Sequence, residues 1–189
     1  MKLKRILIAF ILSVISLSSF AQKSIINVEK SSVKWLGKKV TGQHDGTIKI
    51  KSGSIELKNN EIVGGSFIID MNSIKCNDLK DEGYNKKLVG HLKSDDFFGV
   101  NQFPEASFVI KSASEFSNDK STVSGIITIK GKTENISFEV LKNQKTFSSN
   151  VDIDRSKFNI RYGSTSFFDS LGDKAIYDMF NLKIKLVTN

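Results

Sequence analysis

Few side chains in this sequence can move a proton, attack a bond or hold a metal. The 189 residues include two histidines, His44 and His91, and one cysteine, Cys76. His91 stands in the run GHLKSDDFF, where Asp95 follows four residues later, so an imidazole base oriented by a carboxylate is one chemistry the stretch offers. A metal could draw on the two histidines and Asp95, but with no cysteine pair that is a poor ligand set. The sequence has no Gly-x-Ser-x-Gly elbow, no His-Glu-x-x-His pair and no phosphate-cradling glycine loop. Acid pairs such as Asp95-Asp96 and Asp152-x-Asp154 come cheaply at this composition, and Trp35, the sole tryptophan, provides no aromatic platform for a sugar. The expectation is a protein without catalytic residues, metal or cofactor.

The aromatic inventory points to a different chemistry. There are 14 phenylalanines against three tyrosines and one tryptophan, so nearly all the ring surface lacks a polar handle and calls for a dry partner. Phe67, Phe108 and Phe138 sit in alternating stretches, where they either fill a core or line a tunnel; Phe147 reads as core. Phe97, Phe98, Phe103, Phe167 and Phe168 fall outside such stretches and are candidates for contact with an apolar ligand. Each buried methylene contributes roughly 0.8 kcal/mol, so a ligand chain of about ten carbons binds firmly even after its ordering cost. A polar head would then need only a small cluster of donors, drawn from His44, His91, Lys93, Arg155 and Arg161. For Lys93 and Arg155 the simpler reading is a surface charge.

Strands must position these groups. From Ser32 onward the apolar pattern has period two, which puts alternate side chains on opposite faces of a strand: Ile48 and Ile50; Ile55 and Leu57; Phe67, Ile69 and Met71; Phe108 and Ile110; Val123, Ile127 and Ile129; Ile136, Phe138 and Val140; Phe147, Val151 and Ile153; Leu182, Ile184 and Leu186. Lys51-Ser52-Gly53, Lys58-Asn59-Asn60, Lys130-Gly131-Lys132 and Lys142-Asn143-Gln144 read as hairpin turns, so neighbours are antiparallel. Two stretches break the rhythm. Residues 79–92 carry Tyr84, Leu88 and Leu92 at a spacing of four, which predicts one short helix with those residues toward the barrel. Residues 162–176 predict a loop folded over a barrel mouth. The only proline, Pro104, holds Phe103 extended and stops any helix there. Eight strands with no unprotected edge are best satisfied by closure, giving an all-β, eight-stranded antiparallel barrel with one short helix; such an interior either fills with side chains or holds one small ligand.

The remaining features set the context. Residues 1–21 have a basic start at Lys2, Lys4 and Arg5, an apolar run, and small residues at Ser19 and Ala21, the pattern of a cleaved secretory signal. Its removal leaves 25 basic against 20 acidic groups, a formal charge of +5 in place of +8, on one domain spanning residues 22–189. The lysines are scattered singly, which argues against nucleic acid as a partner. A lone Cys76 cannot form an internal disulfide and reads as a small semi-buried side chain. Pairing of two barrels is compatible with the sequence.

The block HLKSDDFFGVNQFPEASF closely resembles the signature of the YceI-like family of periplasmic isoprenoid-lipid-binding barrels. Trp35, GQHDGTIKIKSGSIEL, GGSFIIDMNSI, VSGIITIKGKTENISFEV, IDRSKFNIRYG and DKAIYDMFNLKIKL follow in the family's order. The resemblance implies an extended lipocalin-like barrel of eight strands in the periplasm, with a long-chain isoprenoid or similar amphiphile in its tunnel and no established catalytic residues. It implies positions near the tunnel and its mouth for His44, His91, Phe97, Phe98 and Arg161. With the residues read from pattern, the candidate ligand-binding set is completed by Phe67, Leu88, Leu92, Phe103, Phe108, Phe138, Phe158, Phe167 and Phe168. Two other readings stay open: a closed barrel that recruits a protein partner during envelope stress, and a headgroup-modifying enzyme using His91 with Asp95.

Overall fold

A computed structural model describes residues 21–189; the expected leader lies outside the described residues, save its last residue. The strands are β1 (Gln22–Ile25), β2 (Ser32–Lys39), β3 (Gly42–Lys58), β4 (Glu61–Cys76), β5 (Glu105–Ala113), β6 (Lys120–Ile129), β7 (Lys132–Asn143), β8 (Thr146–Asp154) and β9 (Met179–Val187), with one helix, α1 (Glu82–Lys93). The sheet order β3-β2-β9-β8-β7-β6-β5-β4 returns to β3 through a β3–β4 pairing, which closes an eight-stranded antiparallel barrel. The ninth strand, β1, adds to the outer part of β3, with Gln22 opposite Leu57.

Turn chemistry sets the hairpins. Asn59 and Asn60 both take positive φ between β3 and β4, as do Lys130 and Gly131 between β6 and β7, the backbone a two-residue hairpin with right-handed twist requires. The expected turn at residues 51–53 is not one. β3 runs through it for 17 residues, and a register shift between Ile50 and Ser52 absorbs the odd residue. A bulge of this kind moves the inward set from even positions (Ile48, Ile50) to odd ones (Ile55, Leu57), so the Ser-Gly sequence marks a phase change within a strand. Gly46 shows a close approach: a Cβ there would lie 1.8 Å from the Lys75 carbonyl and 2.5 Å from the Trp35 ring, whose indole donates to that same carbonyl.

The helix forms where expected, but its inner face differs. Asp81 caps it by accepting from the Tyr84 amide. Tyr84 is 69% exposed, while Asn85, Leu88, Val89 and Leu92 are half-buried toward the barrel. A strict spacing of four drifts around a helix of 3.6 residues per turn, so the line starts outside the packed face at Tyr84 and comes onto it at Leu88 and Leu92. The core divides into two clusters along the barrel axis. One, toward α1, holds Met71, Ile74, Phe97, Val100, Phe158 and Ile160; the other, at the far end, holds Ile26, Ile55, Ile62, Val123 and Phe147. Phe108 and Phe138 pack against both, ring centroids 5.3 Å apart.

Candidate binding cavity

A cavity of about 230 Å³ runs through the barrel between the two clusters. Its wall is made by inward residues of every barrel strand, among them Ile48, Ile69, Phe108, Phe138 and Leu182. These five are only partly buried although they point inward. They face a void, so the core is incomplete along its axis. An apolar cavity of about 150 Å³ already holds a benzene-sized guest, so this one is large enough for an apolar occupant, yet slimmer than the 300–1,000 Å³ usual for drug-sized ligands. A tunnel of that shape suits a chain better than a disc. Ser107, Ser148, Ser149, Tyr177 and Arg155 are the polar residues in an otherwise apolar wall.

The candidate residues read from sequence divide by place. Phe67, Leu92, Phe97, Phe98, Phe108 and Phe138 line the cavity. His44, Leu88, His91, Phe103, Phe158, Arg161, Phe167 and Phe168 do not. Phe158 is buried in the cluster toward α1, and Leu88 is half-buried on the helix. Phe103 rests on the β6–β7 turn, where a Cβ on Gly131 would come within 2.7 Å of its ring. Arg161 lies over Phe167 and Phe168 at 4.7 and 5.8 Å, in the surface loop anticipated for residues 162–176.

His91 is set in an aromatic cage at the helix end of the barrel. Its ring meets Tyr162 edge-on at 4.3 Å and Phe97 at 5.9 Å, and its Nε2 is buried without a hydrogen-bond partner. Phe97 in turn contacts Phe98, at 5.0 Å, and both reach the cavity. Asp95 makes no hydrogen bond to His91; its carbonyl instead accepts from Lys130 Nζ at 2.7 Å. The imidazole–carboxylate pair that a headgroup-modifying reaction would need is therefore not assembled.

Arg155 corrects the sequence reading most sharply. It is 1% exposed, not a surface charge, and it lines the cavity. It begins the 3-10 turn Arg155–Phe158, and its guanidinium donates to the carbonyls of Ile160 (2.9 Å), Tyr162 (2.8 Å), Ile176 (2.9 Å) and Tyr177 (3.3 Å). Asp178 Oδ1 lies 3.2 Å from Nη2, an ion pair outside good hydrogen-bond geometry, while Phe97 faces the guanidinium at 5.4 Å. Burial lowers the arginine's pKa, and Asp178 and Asp154 oppose that shift. One side chain thus satisfies four carbonyls of the segment leading into β9, a segment that residues 175–177 also tie to the end of β2.

His44 stands elsewhere, on the outer edge of the same end. Its Nδ1 is 2.8 Å from Asp78 Oδ2, and Asp78 Oδ1 accepts from the Asp45 amide at 3.0 Å and from Cys76 Sγ at 3.1 Å. Burial alone would raise the Asp78 carboxyl, but the hydrogen bonds from His44, Cys76 and Asp45 outweigh it and bring the pKa to about 2. The Cys76 thiol is pushed up, chiefly by burial. The one nitrogen, one sulfur and one carboxylate oxygen lie within 4.8 Å of one another, the donor set a metal could use.

Several known proteins share this architecture. BcnA of Burkholderia cenocepacia is 26% identical with a TM-score of 0.69, over 87% of this chain and 99% of that one. The YCEI protein of Campylobacter jejuni is 24% identical with a TM-score of 0.51, over 68% and 74% of the two chains. A polyisoprenoid binding domain from Saccharophagus degradans, implicated in plant cell wall breakdown, has a TM-score of 0.58 at 12% identity, over 90% and 99%. The last two likenesses carry the fold alone. A UPF0312 protein of Staphylococcus aureus strain USA300 is 46% identical over 56 residues, a match that spans 30% of this chain and 30% of that protein. The YceI-like domain matches residues 25–188, and the chain belongs to that family.

Proposed function

We propose that this barrel binds a long-chain isoprenoid or similar amphiphilic lipid, with the chain in the tunnel and the polar head at the helix end. The observation that carries the reading is the row of inward, half-exposed aliphatic and aromatic side chains along an otherwise apolar void. Apolar surface left facing a cavity is stabilised by any guest that fills it, at roughly 25 cal/mol per Å² removed from water. The barrel of Saccharophagus degradans, described as polyisoprenoid-binding, supports the same class of ligand. The slim bore favours an unbranched or isoprenoid chain, with Phe98 and Leu92 half-buried on its wall. Among the described residues no helix is long and apolar enough to cross a membrane. The basic start and apolar run of residues 1–21 support export and a periplasmic place of action. In this reading the role is carriage or storage of the lipid.

The test is direct. Protein is purified from a periplasmic extract without detergent and extracted with organic solvent, and the released lipids are identified by mass spectrometry. About one isoprenoid or acyl chain per barrel is expected. Protein that yields no lipid, and takes up none from vesicles containing a farnesyl-chain probe, would overturn the reading.

A further inference from the structure

We infer that His44, Cys76 and Asp78 form a binding site for a single thiophilic divalent cation, zinc being the best match, on the outer edge of the helix end. The inference is independent of what occupies the tunnel. None of the three residues lines the cavity. They are 32 and two residues apart in sequence and meet because the β3–β4 register places Gly46 opposite Cys76. The backbone holds them there: the Asn77 amide donates to the Asp45 carbonyl at 2.9 Å, and Asn85 of α1 donates to the carbonyls of Cys76 and Leu79 at 3.0 and 2.9 Å. The loop that carries Asp78 is thus fixed on both sides.

The donor chemistry selects the ion. Imidazole nitrogen, thiolate sulfur and carboxylate oxygen are the three ligand types zinc accepts, at about 2.0–2.3 Å, and a set of three leaves a fourth tetrahedral position for water or another ligand. Calcium or magnesium would ask for an all-oxygen shell that this cluster does not supply. The His44 and Asp78 side chains are 30% and 31% exposed, which gives the ion a route in, while Cys76 is buried behind them. In the structure Asp78 accepts from both other donors. On binding, the thiol proton leaves to solvent, the proton that His44 Nδ1 shares with Asp78 is exchanged through solvent for one on Nε2 so that the Nδ1 lone pair is free, and the carboxylate turns from hydrogen bonds to the metal. No electron is transferred, and no other reactant is required.

Untagged full-length protein, exported and purified in chelator, is incubated with Zn²⁺ or Co²⁺ and passed through a desalting column. One equivalent of zinc should remain with the protein, and the cobalt form should show a thiolate-to-metal charge-transfer band. Cys76→Ser should abolish that band, and His44→Ala should weaken retention at least about tenfold. Reaction of Cys76 with a thiol reagent in the unaltered protein should also slow at least about tenfold when zinc is added, a readout that needs no variant to fold. Loss of retained metal from the unaltered protein, or equal retention in Cys76→Ser and His44→Ala, would show that the trio is only a hydrogen-bonded fastening. Lipid content is unaffected by either outcome, so failure here leaves the tunnel reading standing.

Discussion

The two ends of the barrel are closed by different means. At the far end the β3–β4 and β7–β8 connections are tight turns, β1 covers the outer part of β3, and the interior around Phe147 and Val123 is mostly apolar, with Ser121 the polar exception on the inward face of β6. At the helix end the chain leaves its strands twice, over residues 77–104, which include α1, and over residues 155–178. There a buried arginine supplies the hydrogen bonds that strand neighbours supply elsewhere. Regular pairing closes an end permanently, whereas carbonyls gathered on one side chain can be rearranged with fewer bonds broken. On the proposed reading, the helix end is the one through which a lipid chain would enter the tunnel.

Removing the arginine should have the largest effect. Arg155→Ala leaves four carbonyls without their donor and the Asp178 carboxylate without its counter-charge, and breaking a buried pair of this kind costs about 3–5 kcal/mol. Urea denaturation should show the loss, and hydrogen exchange should rise first in residues 159–178. Arg155→Lys should recover only a part, because an ammonium cannot reach the planar fork of acceptors. Uniform loss of protection across both ends would break the contrast, since the helix end would then not be a separate unit.

Phe147→Ala tests the opposite end. The ring is 2% exposed at the centre of the far cluster, so truncation should cost about 3 kcal/mol in urea denaturation. Its distinguishing outcome is lipid content: a bound chain entering from the helix end should still be retained by the fraction that folds.

Much of the barrel was legible because period-two alternation is a local signal. The strand of Ile136, Phe138 and Val140 and that of Leu182, Ile184 and Leu186 both announce themselves in a handful of residues. Where the local signal changes phase, it misled. Ser52-Gly53 looks like a turn, but β3 continues through it because β4 supplies a partner across the bulge. The site was less legible. Arg155 stands in the run DIDRSK, which nothing local distinguishes from a solvated turn; its acceptors are carbonyls 5 to 22 residues away. The only available hint was the pair of flanking acids, Asp154 and, later, Asp178. His44 was drawn toward the tunnel by resemblance, yet its partners are fixed by β3–β4 register, which one sequence does not reveal. The aromatic block was the exception, since Phe97 and Phe98 are adjacent in sequence and both reach the cavity.

Filling the void sharpens the comparison from inside. Ile69→Trp adds ring volume where the wall faces empty space, so its overpacking cost should stay under about 1 kcal/mol, at the low end of what such insertions cost in a filled core. Retained lipid, measured by extraction and mass spectrometry, should fall severalfold while thermal unfolding barely moves. A stability loss of several kcal/mol would instead mean that the cavity is already packed shut in solution.

The smallest effect is expected at the rim. Phe168 is 46% exposed under Arg161 and does not line the cavity, so Phe168→Ser should change stability by no more than about 0.5 kcal/mol. Lipid retention should also hold, because the ring contributes no wall to the tunnel. The measurement matters because the loop carries two adjacent phenylalanines beside an arginine, an arrangement that would equally suit a polar head lying outside the bore. If retention drops while melting is unchanged, the binding site extends past Arg155 onto residues 161–168, and the rim takes part in holding the head. If both stay fixed, binding is confined to the bore, and the aromatic loop serves only to cover the guanidinium of Arg161.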